Sequence, residues 1–143
     1  MTLQNSFKME LLSKSNNESF VRVAVAAFAA QLDPTIEEIN DIKTAVSEAV
    51  TNCIVHGYKN TLGKIYITVE LLEQRMLRIK IRDRGCGIAN VQQAMEPLFT
   101  TGGEERSGLG FSVMQSFMDK VSVRSVPGRG TTVTLQKQLS VKL

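Results

Sequence analysis

Two runs in the middle of the chain alternate apolar and polar residues without a break. Ile65, Ile67, Val69 and Leu71 mark the first; Leu77, Ile79 and Ile81 mark the second, after a tight connection near Glu73 to Arg75. Successive side chains of a strand point to opposite faces, so each run reads as a strand with one apolar face. Strands of this kind need cover on one side of their sheet only, and the rest of the chain has to supply it.

The flanking segments supply that cover. Phe7, Met9 and Leu11 alternate with polar residues and read as a further strand. Asn16 to Leu32 reads as a helix, with N-cap candidates from Ser15 to Asn17 and an apolar face of Phe20, Val23, Ala24, Ala27 and Phe28. Asp33-Pro34 breaks it. Thr35 and Glu38 form a capping box that opens a second helix, expected to reach about His56 with Gly57 at its C-terminus. Asp83 to Ser107 is 25 residues of little periodicity, too long for an idle connector, and reads as a binding loop or lid. Gly108 to Met118 reads as a short helix and Val121 to Ser125 as a strand. Pro127 to Gly130 reads as a turn, and Thr131 to Leu139 as the last strand. The order predicts an α+β two-layer sandwich, a mixed and mostly antiparallel sheet covered on one face by helices. Residues 1–143 read as a single domain.

Composition narrows the class. The chain is 43% hydrophobic and 22% charged, the balance of a soluble globular protein. Its longest apolar run, Val23 to Ala30, is far too short to span a bilayer, and the N-terminus lacks the regions of a signal peptide. No membrane partner is expected, and the cytoplasm is the expected compartment. A net charge of +3 without a dense Lys/Arg cluster gives no argument for direct nucleic-acid binding. Cys53 and Cys86 lack metal-type spacing; Cys53 is expected in the core and Cys86 as a small residue in a glycine turn. A single histidine excludes a His-rich metal site.

The chemistry concentrates in four places. On the second helix, Ile42, Val46, Ala49, Val50 and Cys53 fall on one side. Asp41, Glu48, Asn52 and His56 form a neighbouring stripe. A carboxylate and an amide one turn apart face the same space: Asn52 can give Mg²⁺ an oxygen without repelling phosphates, and Glu48 can orient or deprotonate an attacking hydroxyl. Asp83 ends a strand expected to be buried and can accept a hydrogen bond from an exocyclic amine such as that of adenine. Gly85 and Gly87 let the backbone turn close to a flat base. Gly108 and Gly110 open a helix whose free N–H groups and dipole suit phosphate, with Arg106 beside them as a planar donor. Thr131 and Thr132 can assist Asp83 around a base. The glycine cluster is neither a Walker A loop nor a dinucleotide fingerprint.

These motifs resemble those of the GHKL ATPase superfamily. Glu48 to Asn52 matches its N-box, Asp83, Gly85 and Gly87 its G1 box, Gly108 and Gly110 its G2 box, and Gly130-Thr131-Thr132 the last box. The resemblance implies a Bergerat-type site for ATP or ADP, with Mg²⁺ held through Asn52 and adenine read by Asp83. Three further stretches narrow it: His56-Gly57-Tyr58, Pro97-Leu98-Phe99-Thr100-Thr101, and Glu105-Arg106-Ser107-Gly108-Leu109-Gly110-Phe111. Over nearly its whole length the chain is similar to the anti-sigma factor serine kinases, above all to the sporulation members that act on sigma F. That likeness implies inhibition of a sigma factor, Mg-ATP-dependent phosphorylation of an anti-anti-sigma protein on serine, and a homodimer. It adds Thr100, Ser107, Leu109 and Phe111 to the nucleotide contacts, and Arg22 and Arg106 as partner contacts. In one departure, Gly102-Gly103 stands where related sequences often carry Lys.

Two other readings remain open from sequence: a nucleotide-gated sigma-binding module without significant kinase activity, and an ATPase domain of the histidine-kinase type. The apolar stripe Val21, Val25 and Ala29 can serve a dimer or the core.

Overall fold

The computed structural model describes residues 1–96 and 106–141. Its elements run β1 (Leu3–Leu12), α1 (Ser15–Ala29), α2 (Ile36–Asn52), β2 (Lys64–Leu72), β3 (Met76–Asp83), α3 (Val91–Ala94), α4 (Arg106–Phe117), β4 (Lys120–Val126) and β5 (Gly130–Gln138). The strands form one five-stranded sheet in the order β1-β2-β3-β5-β4. All four ladders are antiparallel, so the described sheet has no parallel pair where a mixed sheet was expected.

The register explains where the core lies. One cross-strand row joins Phe7, Val69, Ile79, Leu135 and Val121; the next joins Met9, Ile67, Ile81, Val133 and Val123. These rows face the helices, and Ile67, Val69, Ile79, Ile81 and Leu135 are all buried. Each such side chain contributes about 1.5–3 kcal/mol of hydrophobic stabilisation. A third row on the same face reads Leu11, Ile65, Asp83, Thr131 and Ser125. The apolar face thus turns polar at one end, still under the helices.

The capping box forms as expected: Thr35 Oγ1 accepts from Glu38 N–H at 3.0 Å, and Glu38 Oε1 accepts from Thr35 N–H at 2.9 Å. Behind it, Ile42, Val46, Ala49, Val50 and Cys53 are all buried. The helix does not stop at Asn52 but continues as a π-helical turn, Cys53–Gly57. α1 differs from its sequence pattern. Val21, Val25 and Ala29 enter the core, whereas Phe20 and Val23 are 57% and 58% exposed. The helix carries two apolar stripes side by side, so periodicity alone cannot choose between them; packing on α2 does. Phe28 stays partly buried against the ring of Phe7.

Candidate functional site

A cavity of about 690 Å³ opens between the polar end of the sheet and the helices, within the range of small-molecule sites. α2 and its π-helical turn supply Asn52, Cys53, His56 and Gly57. β3 and β5 supply Asp83 and Thr131, the stretch after β3 supplies Gly87 to Asn90, and Phe111 comes from α4.

Asp83 forms the floor and is 4% exposed. Its Oδ1 accepts from Gly85 N–H at 2.9 Å. The Cys53 thiol and the Thr131 backbone N–H also donate to it. Burial pushes the Asp83 carboxyl above its ordinary 3.8, and these hydrogen bonds hold it back. Burial also raises the Cys53 thiol well above 9.0, with the Asp83 charge as the second cause, so Cys53 stays a protonated donor.

Backbone contact around this floor leaves no room for side chains. A Cβ on Gly57 would stand 2.7 Å from Asp83 Oδ2, and one on Gly85 would stand 2.1 Å from the Gly57 carbonyl oxygen. Cys86 N–H donates to that same oxygen at 2.9 Å. Gly85 therefore sets the approach of β3 to the helix end and does not itself line the cavity. Tyr58 ties the joint together, its hydroxyl donating to the Lys64 carbonyl and accepting from Arg84 N–H. Ser125 does the same on the other flank: its Oγ accepts from Ile88 N–H at 2.7 Å and lies 2.8 Å from Thr131 Oγ1.

At the other end of the cavity, α4 crosses α2. A Cβ on Gly110 would lie 3.2 Å from Asn52 Oδ1 and 3.4 Å from Glu48 Oε2, so α4 passes directly over the carboxylate and amide. Asn52 Nδ2 is buried and has no hydrogen-bond partner among the described residues. An amide left so is costly in a closed interior but fits a polar ligand. Among the described residues no group of three His, Cys, Asp or Glu side chains could hold a metal by itself. Any cation here would need ligand oxygens in addition to Asn52, which fits the donor set of Mg²⁺ on a phosphate chain.

A model of the histidine kinase-like ATPase domain matches residues 13–137. The anti-sigma F factor of Caldanaerobacter subterraneus is 57% identical over 140 residues, covering 97% of each chain. That of Bacillus subtilis is 54% identical over 140 residues, covering 96% of this chain and 95% of its own. This chain belongs to the anti-sigma F factor family. Its fold recurs in the RsbU and RsbW domains of a Mycobacterium tuberculosis protein, with a TM-score of 0.70 at 22% identity over 95% of this chain and 32% of that one. It recurs too in the catalytic domain of histidine kinase ThkA, with a TM-score of 0.59 at 17% identity over 94% and 97%. The five-stranded sheet under helices is thus the α+β architecture of the GHKL ATPases, a domain class that implies nucleotide binding.

Seven of the residues singled out from the sequence of this family member converge. Asn52, Asp83, Gly87, Phe111 and Thr131 line the cavity, and Glu48 and Gly110 meet beside it. Thr132 does not join them: it lies on the opposite face of the sheet, beside Arg82, Arg124 and Arg129. Arg106, Ser107, Gly108 and Leu109 form the first turn of α4, where only the backbone is described. Thr100 and the Gly102-Gly103 departure lie outside the described residues. Arg22 is 40% exposed and pairs with Glu18 at 3.6 Å. Asp41, on the same helix stripe as Glu48 and Asn52, pairs instead with Lys137, 3.6 Å away. Sequence reasoning passed over Ser125, Lys59 and Asn60. The last two line the cavity with left-handed φ of 53° and 63°, and the only sequence signal was an Asn at the end of a turn.

Proposed function

We propose that this chain binds and restrains a sporulation sigma factor of the sigma F type and uses Mg-ATP to phosphorylate its anti-anti-sigma antagonist on serine. The family membership supports this reading. The observation that carries it is the cavity, with a buried acceptor at one end and the Glu48–Asn52 pair beneath Gly110 at the other. In this reading Asp83 accepts the exocyclic amine of adenine, and the Gly87 backbone lies against the base. The opening turn of α4, with Ser107, Gly108 and Leu109, donates N–H groups to the phosphates, and Thr100 is kept as a nucleotide contact that the sequence resemblance implies. Asn52 gives its amide oxygen to Mg²⁺, which when bound neutralises phosphate charge. Glu48 orients the substrate hydroxyl and takes its proton as the serine oxygen bonds to the γ-phosphorus and ADP leaves. Arg106 steadies the transferred charge and, with Arg22, contacts the protein partner.

No helix among the described residues is long and apolar enough to cross a membrane; the proposal takes the cytoplasm as the compartment from the sequence reading alone. The proposal includes a homodimer, as the sequence resemblance implies.

The test follows labelled γ-phosphate from Mg-ATP in a mixture of this chain and an anti-anti-sigma protein. Label on a partner serine, lost with Glu48→Ala while ATP still binds, is the expected result. ATP binding without any transfer would leave the nucleotide-gated binding module in its place.

A further inference from the structure

The sheet face turned away from the helices gathers cations that lie far apart in the sequence. One cross-strand row there reads Glu10, Tyr66, Arg82, Thr132 and Arg124. Arg84 follows β3, and Arg129 sits in the turn between β4 and β5. Arg82, Arg124, Arg129, Val126 and Thr132 surround a shallow hollow of about 170 Å³, whose lining also includes Asp83 and Thr131 from the same strands. Arg82, Arg84, Arg124 and Arg129 are all exposed, and none forms an ion pair among the described residues. Four unpaired charges in one corner exceed the +3 net charge of the whole chain. Held so close without counter-charges, they repel one another and make a local positive field.

The guanidinium groups are partly ordered in advance. Those of Arg82 and Arg84 lie 5.5 and 4.8 Å from the centre of the Tyr66 ring. Such stacking lowers the entropy lost when an anion is gripped, and the planar fork matches a carboxylate. The acidic residues of this face are already committed: Glu10 pairs with Lys64 and Glu70 with Arg78.

We infer that this corner of the sheet is a docking site for an acidic segment of a protein partner, whose carboxylates meet Arg82, Arg124 and Arg129. The extent of the patch favours polypeptide over nucleic acid. From β3 to β4 its arginines span two strand spacings, about 10 Å, and the exposed Lys80, Lys8 and Lys120 continue the same face over only the next two rows. Beyond it the ion pairs of Glu10 and Glu70 place carboxylates where a phosphate backbone would continue. A nucleic-acid site engaging 6–10 phosphates needs a longer basic track. Val126, 54% exposed at the rim, gives an apolar contact suited to a peptide side chain. The arginines that carry the inference do not line the larger cavity, although the two share Asp83 and Thr131, so the inference does not rest on the proposed kinase activity.

The test uses fluorescence anisotropy of a fluorescein-labelled oligoglutamate peptide on the full chain, with labelled oligothymidylate in parallel. Exposed charge pairs change affinity a few-fold each, so Arg82→Gln/Arg124→Gln/Arg129→Gln together should weaken oligoglutamate binding about tenfold. The matching Arg→Lys chain should recover part of it, and ATP binding should stay at the parent value in both. Arg129→Gln alone, on the surface turn, gives a smaller loss and a variant with no sheet position altered. No saturable oligoglutamate binding, equal affinity in the triple variant, or tighter binding of oligothymidylate would each overturn the assignment.

Discussion

Replacing Asp83 by Asn separates two things that this carboxylate does. Asn has the same shape, but it replaces one acceptor oxygen with a donor. In the protein the carboxylate accepts from Gly85 N–H, the Cys53 thiol and Thr131 N–H, and it is almost fully buried. One of those donors would then face the amide NH₂, which costs about 1–3 kcal/mol. Removing a buried charge works in the opposite direction. Because burial raises the Asp83 pKa above 3.8, the parent gains stability from the protonated form at acid pH and loses it as pH rises through the folded pKa. The variant lacks this dependence, so its stability relative to the parent should improve from acid to neutral pH. Ligand binding behaves differently. Loss of a charge-assisted hydrogen bond to adenine costs about 1.5–3 kcal/mol, or roughly 10–150-fold in affinity, at neutral pH where the parent Asp83 is ionised. Urea unfolding across the acid-to-neutral range gives the first quantity, and ATP titration of the folded variant gives the second. An Asp83→Asn chain that binds ATP as the parent does would refute the reading of Asp83 as the adenine acceptor. A stability difference that does not change with pH would refute the account of its burial.

Three further outcomes follow from the geometry. Glu48→Ala should leave ATP affinity within a few-fold of the parent and lower phosphoryl transfer by about 10²–10⁴, as single-turnover kinetics will report. Gly85→Ala should destabilise the fold by about 1–3 kcal/mol in urea unfolding, because its Cβ would meet the Gly57 carbonyl oxygen at 2.1 Å and neither backbone can yield; a change under about 0.5 kcal/mol contradicts that contact. Thr35→Ala removes the hydroxyl half of the capping box and should cost about 1 kcal/mol, or roughly 2–5 °C in Tm by calorimetry, with no effect on ATP affinity.

The fold was legible wherever one physical rule acted alone. The alternation of Ile65 to Leu71 and Leu77 to Ile81 needed only the two-residue period of a strand, and both strands stand where it put them. The Thr35–Glu38 box needed only the unsatisfied N–H groups of a helix start. Legibility failed where two answers satisfied the same rule. α1 has two apolar stripes, and the contact with α2, which no local pattern encodes, chose Val21, Val25 and Ala29 over Phe20 and Val23.

The site divides in the same way. Glu48 and Asn52 were readable because helical spacing alone makes them neighbours. Thr131 and Thr132 are adjacent in sequence, and pleating sends them to opposite faces of the sheet, so only the first reaches Asp83. Which one it would be depended on the register of β5 against β3, and a shift of one residue would exchange them. That register also decides what Thr132 meets. Pairing Asp83 with Thr131 sets Thr132 between Arg82 and Arg124, so one alignment builds the floor of the large cavity on one face and the arginine hollow on the other. Gly130 helps to pin that alignment: a Cβ there would stand 2.2 Å from the Asp83 carbonyl oxygen, so β3 and β5 can approach this closely only at a glycine. Two surfaces of different chemistry, one built on a buried carboxylate and one on exposed guanidinium groups, therefore depend on one strand pairing, and neither can be moved along the sheet without the other.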